Sequence, residues 1–221
     1  MNMICGAIFD IDGVLLDSMR IWRDLGSRYL KKHNIVPKDG LDKILFSMSM
    51  EQGAEYLKHE YCSDADAEDI LGEIKGMLRD FYYYEVAPKD GAEELLKFLK
   101  ERDIRIVAAT SSPYGHVRAA LERTRLLPFI ERIFTTSEIG ESKHSPLIYN
   151  TAAEYIGTSP DKTLVFEDSL YALKTAADAG YCAVGVYDRD GESDKDGVRT
   201  YGRAYLKNLN DFDMILPYIT D

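Results

Sequence analysis

Two aspartates stand two residues apart in Phe9-Asp10-Ile11-Asp12-Gly13. In extended chain, residues i and i+2 point the same way. The carboxylates of Asp10 and Asp12 then repel unless a cation or a shared proton intervenes. Further acid stands at Glu167 and Asp168, three hydroxyls at Thr110-Ser111-Ser112, and a lysine at Lys143. Each has an ordinary reading by itself: Asp-x-Asp is a turn or cap, Thr-Ser-Ser-Pro a helix N-terminus, a lone lysine solvated surface. Taken together they are not what packing would select. Carboxylate oxygens without His or Cys beside them favour a hard cation, Mg²⁺ foremost.

The surrounding elements decide whether these groups can meet. Met3 to Phe9 is a buried, strand-like apolar run that ends at Asp10. Ile104–Ala109, Ile133–Thr135, Thr163–Phe166 and Cys182–Val186 read as further strands, with helices over Gly91–Arg102, Gly115–Thr124, Pro146–Ile156 and Ser169–Ala179. This alternation predicts an α/β core, a Rossmann-like parallel sheet covered on both faces. Right-handed crossovers bring every strand's C-terminal end to one edge, the edge where open α/β sheets bind ligands. Asp10, Asp12, Thr110, Lys143, Glu167 and Asp168 all follow strands. Between Ser18 and Val86 the apolar spacing is helical, which predicts a small all-helical insertion after the first strand. The expected division is 1–16 with 88–221 as core and 17–87 as insertion. Asp188 to Gly197, polar and Gly-rich, reads as a solvated loop.

The segments FDIDGVLLDS, VAATSSP, ESKHSPLIY and VFEDSLYALKTAADAG resemble, in order and each after a predicted strand, the four motifs of the haloacid dehalogenase superfamily. The insertion resembles the helical cap of the group that includes β-phosphoglucomutase and phosphoglycolate phosphatase. The resemblance implies that Asp10 is a nucleophile forming an aspartyl-phosphate and that Asp12 is general acid and then base. It implies Mg²⁺ held by the Asp10 carboxylate, the Asp12 carbonyl and Asp168, with Glu167 direct or through water. It implies phosphate binding by Thr110, the Ser111 N–H and Lys143, leaving Ser112 to cap the following helix. One departure stands out: the family's usual Lys-Pro-x-Pro-Asp is Lys143-His144-Ser145-Pro146-Leu147 here, which makes Lys143 the least secure of the group and leaves His144 an exposed, non-catalytic residue.

Asp12 marks phosphate-ester chemistry within that family. β-Phosphoglucomutases carry a His five residues after the position of Asp17, and this chain has Trp22, whose indole only donates. The expectation is therefore a phosphatase of a small sugar or polyol phosphate. A hexose-phosphate mutase and a non-catalytic binding module are the alternatives. The insertion would close over the site through linkers near Leu16–Met19 and Tyr84–Lys89 and select substrate with some of Trp22, Met48, Ser49 and Tyr82.

The net charge is -11 in 221 residues. So acidic a surface repels phosphate backbones, so nucleic acid is not expected as a partner. No apolar run approaches about 20 residues, so no membrane association is expected. The start of the chain lacks the charged flank of a signal peptide, and three sparse cysteines suit a reducing compartment. A cytoplasmic monomer is the expectation.

Overall fold

The computed structural model describes residues 3–46, 48–62, 64–192 and 194–219. In chain order its elements are β1 (Gly6–Phe9), α1 (Met19–Lys32), α2 (Leu41–Phe46), α3 (Met50–Tyr61), α4 (Ala67–Asp80), α5 (Ala92–Lys100), β2 (Arg105–Thr110), α6 (Tyr114–Arg123), β3 (Ile133–Thr135), α7 (Thr136–Ile139), α8 (Leu147–Ile156), β4 (Thr163–Glu167), α9 (Leu170–Asp178), β5 (Cys182–Val186), α10 (Lys195–Tyr201), β6 (Ala204–Leu206) and α11 (Leu216–Ile219). The contacts divide the chain into two compact units, 1–17 with 86–221 and 18–85.

The first unit is built on a six-stranded sheet of order β3-β2-β1-β4-β5-β6, parallel at every pairing. A strand buried on both faces needs apolar residues at successive positions, and Gly6–Phe9 and Arg105–Thr110 meet that need, every residue but Arg105 being buried. Alternation then sorts them. Ile8, Val107 and Val165 share a core with Ile148, Tyr149 and Ala152 of α8 and Leu173 and Ala176 of α9. Phe9 and Phe166 lie on the opposite face, their rings stacked at 4.2 Å and 2°. β1 is the strand from which the order runs outward in both directions, so the gap beyond its C-terminal end is a topological switch point.

The second unit is helical; among its described residues none lies in a strand. Its core is the inner faces of α1 (Ile21, Leu25, Tyr29, Leu30) and α4 (Ile70, Ile74, Leu78), the i, i+3/i+4 pattern of an amphipathic pair. Ser49 starts α3 with a reciprocal capping box to Gln52, and Phe81–Glu85 prolong α4 as a π-helical turn. Tyr82 is fully buried.

The sequence reading needs correction in one stretch. Asp188–Gly197 is not a solvated loop throughout: Asp188 is buried, and α10 starts inside the segment, with the Asp194 side chain accepting from the Gly197 N–H. (Ser193 lies outside the described residues.) Asp188 tolerates burial because Lys89 Nζ donates to it at 2.9 Å, a partner 99 positions away that local pattern does not reveal. β6, too short for any periodicity to show, pairs with β5 and completes the sheet.

Phe166→Ala opens a cavity at the sheet centre. It is expected to cost about 3–5 kcal/mol, read as a lowered midpoint in urea unfolding with an unchanged slope.

Candidate active site

Asp10 sits just beyond β1. Its N–H donates to the Phe166 carbonyl at 3.0 Å, which carries the β1–β4 ladder one step past Phe9 and sets Asp10 beside Glu167. Chain reversal follows at once. The Leu15 and Leu16 N–H groups both donate to the Ile11 carbonyl at 2.9 Å, with Gly13 at φ 75°, a left-handed conformation that costs glycine little. This tight turn carries Asp12.

Lys143 lies in the turn between α7 and α8, its side chain only 2% exposed. Its Nζ is 2.6 Å from Asp10 Oδ1 and donates to Glu167 Oε1 at 2.7 Å. The altered motif around Lys143 therefore does not carry it away from the other groups. His144 is exposed and stacks its ring on Tyr171 at 4.5 Å. Glu167 Oε1 also accepts from the Tyr149 hydroxyl at 2.8 Å. Asp10, Glu167 and Asp168, all buried, each offer a carboxylate oxygen within 4.8 Å of the others. Glu167 Oε2 and Asp168 Oδ2 are buried without a hydrogen-bond partner. Such orphaned oxygens are costly; a hard cation with oxygen preference answers that cost, and the donor set fits one.

Four of the residues singled out by sequence thus meet directly: Asp10, Lys143, Glu167 and Asp168. The Asp12 carboxylate stands outside that group and accepts from Ser112 Oγ at 2.6 Å. The N-cap position expected for Ser112 is taken by Pro113, which immediately precedes α6 and makes no side-chain cap. The Ser112 hydroxyl donates to Asp12, a charge-assisted bond when the carboxyl is ionised. Thr110 is fully buried and its Oγ1 accepts from the Ser112 N–H at 3.0 Å, while Ser111 is exposed on the turn.

Two partners escaped the sequence reading, Ser112 as the holder of Asp12 and Tyr149 as the holder of Glu167. Tyr149 had a signal. It lies on the apolar face of α8, and a buried tyrosine hydroxyl requires a polar partner.

Ionising all three carboxyls against one ammonium would leave two buried negative charges, and the fold resists this by holding protons on the acids. Burial above all, then the charges of Glu167 and Asp12, lift the Asp10 carboxyl to about 8 against the opposing pull of Lys143. Burial and the charges of Asp10 and Glu167 also lift Asp168 well above the carboxylate range. Burial opposes the charge on Lys143, but Asp10 and Glu167 together outweigh it and hold its pKa above the ordinary lysine value.

A haloacid dehalogenase-like hydrolase family profile matches residues 5–180, and the chain belongs to that family. It is 27% identical over 182 residues to validoxylamine A 7'-phosphate phosphatase of Streptomyces hygroscopicus, covering 81% of this chain and 84% of that protein. It is 27% identical over 177 residues to a phosphorylated carbohydrates phosphatase of Thermotoga maritima, covering 78% and 80%. A solved Thermotoga maritima structure, provisionally named β-phosphoglucomutase, superposes with TM-score 0.81 at 24% identity over 96% of this chain and 99% of that one, which shows the shared fold. No helix among the described residues is long and apolar enough to cross a membrane.

A carboxyl with a raised folded-state pKa holds more protons folded than unfolded, so the fold loses stability as pH rises from the ordinary 3.8 to about 8. Chelator-treated protein is expected to show a Tm that falls between about pH 6 and pH 8. Asp10→Asn should flatten that fall, and a saturating divalent cation should do the same by favouring the ionised carboxylates. Differential scanning fluorimetry across pH reads all three.

Proposed function

We propose that this hydrolase is a phosphoric monoester hydrolase that uses Mg²⁺ and an aspartyl-phosphate on Asp10 to release phosphate from a small sugar or polyol phosphate. The observation that carries the reading is Lys143, buried and bridging Asp10 and Glu167 beside Asp168. A purely structural lysine would need one carboxylate, not a buried excess of them. The two relatives above, one named as a phosphatase of validoxylamine A 7'-phosphate and the other of phosphorylated carbohydrates, support the substrate class.

In this reading Lys143 orients the Asp10 carboxylate through Oδ1, and the carboxylate attacks phosphorus. The ester P–O bond breaks as the Asp10 O–P bond forms. Asp12, steadied by Ser112, gives its proton to the departing alkoxide. A water then enters; Asp12 takes its proton back, the new oxygen bonds to phosphorus, and the acyl phosphate separates into inorganic phosphate and Asp10. Lys143, Thr110 and the Ser111 N–H hold the phosphoryl oxygens. Asp10, Asp168 and the Asp12 carbonyl would hold Mg²⁺, with Glu167 direct or through water; when bound, the ion offsets the repulsion between Asp10 and the incoming phosphoryl group. The separate unit 18–85 would act as a cap that supplies substrate choice. Trp22, Met48 and Ser49, together with Leu45 and Met50, line a cleft within that unit. Trp22 in place of a proton-accepting His, and relatives named for phosphatase activity, favour hydrolysis over phosphomutase transfer.

A panel of phosphorylated metabolites assayed with and without Mg²⁺ is the direct test. Asp10→Asn should lower release on the order of 10³-fold; equal release from wild type and Asp10→Asn, or none from any substrate, defeats the proposal. Asp12→Ala separates the half-reactions. With p-nitrophenyl phosphate, whose leaving group needs little protonation, it should give a burst of p-nitrophenolate near one equivalent and then turnover slowed by about 10²-fold or more, seen by stopped-flow absorbance.

A further inference from the structure

The loop after β5 touches the acidic group from behind, by a contact the reading above does not use. Asp188 organises this loop. Its Oδ1 accepts from the Asp190 and Gly191 N–H groups, each at 2.8 Å. Its Oδ2 accepts from Lys89 Nζ at 2.9 Å. Lys89 Nζ donates twice more, to the Tyr187 carbonyl at 2.6 Å and to the Gly13 carbonyl at 2.7 Å. An ammonium has three protons, and all three are spent here. One is spent on the residue after Asp12 and two on the post-β5 loop. The Lys89 N–H also donates to the Leu15 carbonyl at 2.9 Å, so backbone and side chain both grip the turn that carries Asp12. At the far end of the loop Glu192 Oε2 accepts from the Leu170 N–H at 3.1 Å, at the start of the helix that follows Asp168.

What this clamp presses against Asp168 is a glycine. A Cβ at Gly191 would lie 2.7 Å from Asp168 Oδ2 and 3.2 Å from Asp188 Cβ. Oδ2 is one of the buried oxygens without a hydrogen-bond partner among the described residues. The loop backbone therefore fits against it with no room for one methyl group. The loop is tied at two points, by Lys89 through Asp188 and by Glu192 to α9.

We propose that Lys89, Asp188 and Gly191 are positioning residues for the cation site, holding the post-β5 loop against the Asp168 carboxylate and so fixing its orientation beside Asp10 and Glu167. The proposal rests on reading Asp10, Glu167 and Asp168 as that site. The sequence around Lys89, Pro88-Lys89-Asp90, gave no hint of this role, because its three acceptors come from Gly13 and from Tyr187-Asp188.

Full-length wild type, Gly191→Ala, Asp188→Asn and Lys89→Met are compared by calorimetric titration with MgCl2, by the Mg²⁺-induced rise in Tm, and by the Mg²⁺ dependence of p-nitrophenyl phosphate hydrolysis. Outer-shell changes commonly cost 10–100-fold in metal affinity. Each variant is expected to bind Mg²⁺ about 10- to 100-fold more weakly, with KM at saturating Mg²⁺ within about threefold of wild type. Gly191→Ala and Asp188→Asn carry the test if Lys89→Met does not fold. Variants that melt earlier yet bind Mg²⁺ as wild type does overturn the proposal and leave the cation site standing. A wild-type protein whose Tm and titration respond to neither Mg²⁺ nor Mn²⁺ defeats the cation site itself, and the positioning role with it.

Discussion

Three buried carboxylates face one buried ammonium, and the first unit is arranged around that imbalance. Charges taken out of water are expensive unless paired and hydrogen-bonded. Here Lys143 serves two of the three acids, Tyr149 gives a further hydrogen bond to one of them, and two carboxylate oxygens are left with no protein partner. A protein evolved for stability alone would have neutralised or removed such a group. In the proposed reading stability is given up here for chemistry, and a divalent ion would balance the two excess charges that full ionisation of the acids creates.

The parallel sheet is what makes the concentration possible. Asp10, Thr110 and Glu167 stand at the C-terminal ends of β1, β2 and β4, which are neighbours in the sheet though far apart in the chain. Below them, Ile8, Val107 and Val165 pack on one face while Phe9 and Phe166 stack on the other. Register therefore has little freedom: a slip of one residue would exchange the two faces and turn the carboxylates away from one another. The hydrophobic core sets the positions of the polar groups beyond it, and touches them through the Tyr149 hydroxyl.

Holding the acids also needs a second set of contacts. Asp12 is steadied by Ser112, Glu167 by Tyr149, and the turn after Asp12 by Lys89. Each anchor comes from a different element, so the site is braced from several directions. In the proposed reaction such bracing would keep the acids in place without reorganisation.

Five of the six strands, the helical insertion and the acids, hydroxyls and lysine that follow the strands were legible in the sequence, because burial on both faces writes continuous apolar runs and amphipathic helices write a period of 3.6. Even Lys143, in an altered motif, was legible from its place after β3. What only the tertiary structure decided was pairing. Ser112 was expected to cap a helix; Pro113 takes the N-cap position, and Ser112 holds Asp12, 100 positions away. Asp188 was expected in solvent and is buried against Lys89, 99 positions away. β6 is too short for its three residues to show a pattern. Local periodicity records which face of an element is buried. It does not record which distant donor will meet a buried acceptor, since that depends on the packing of the whole unit.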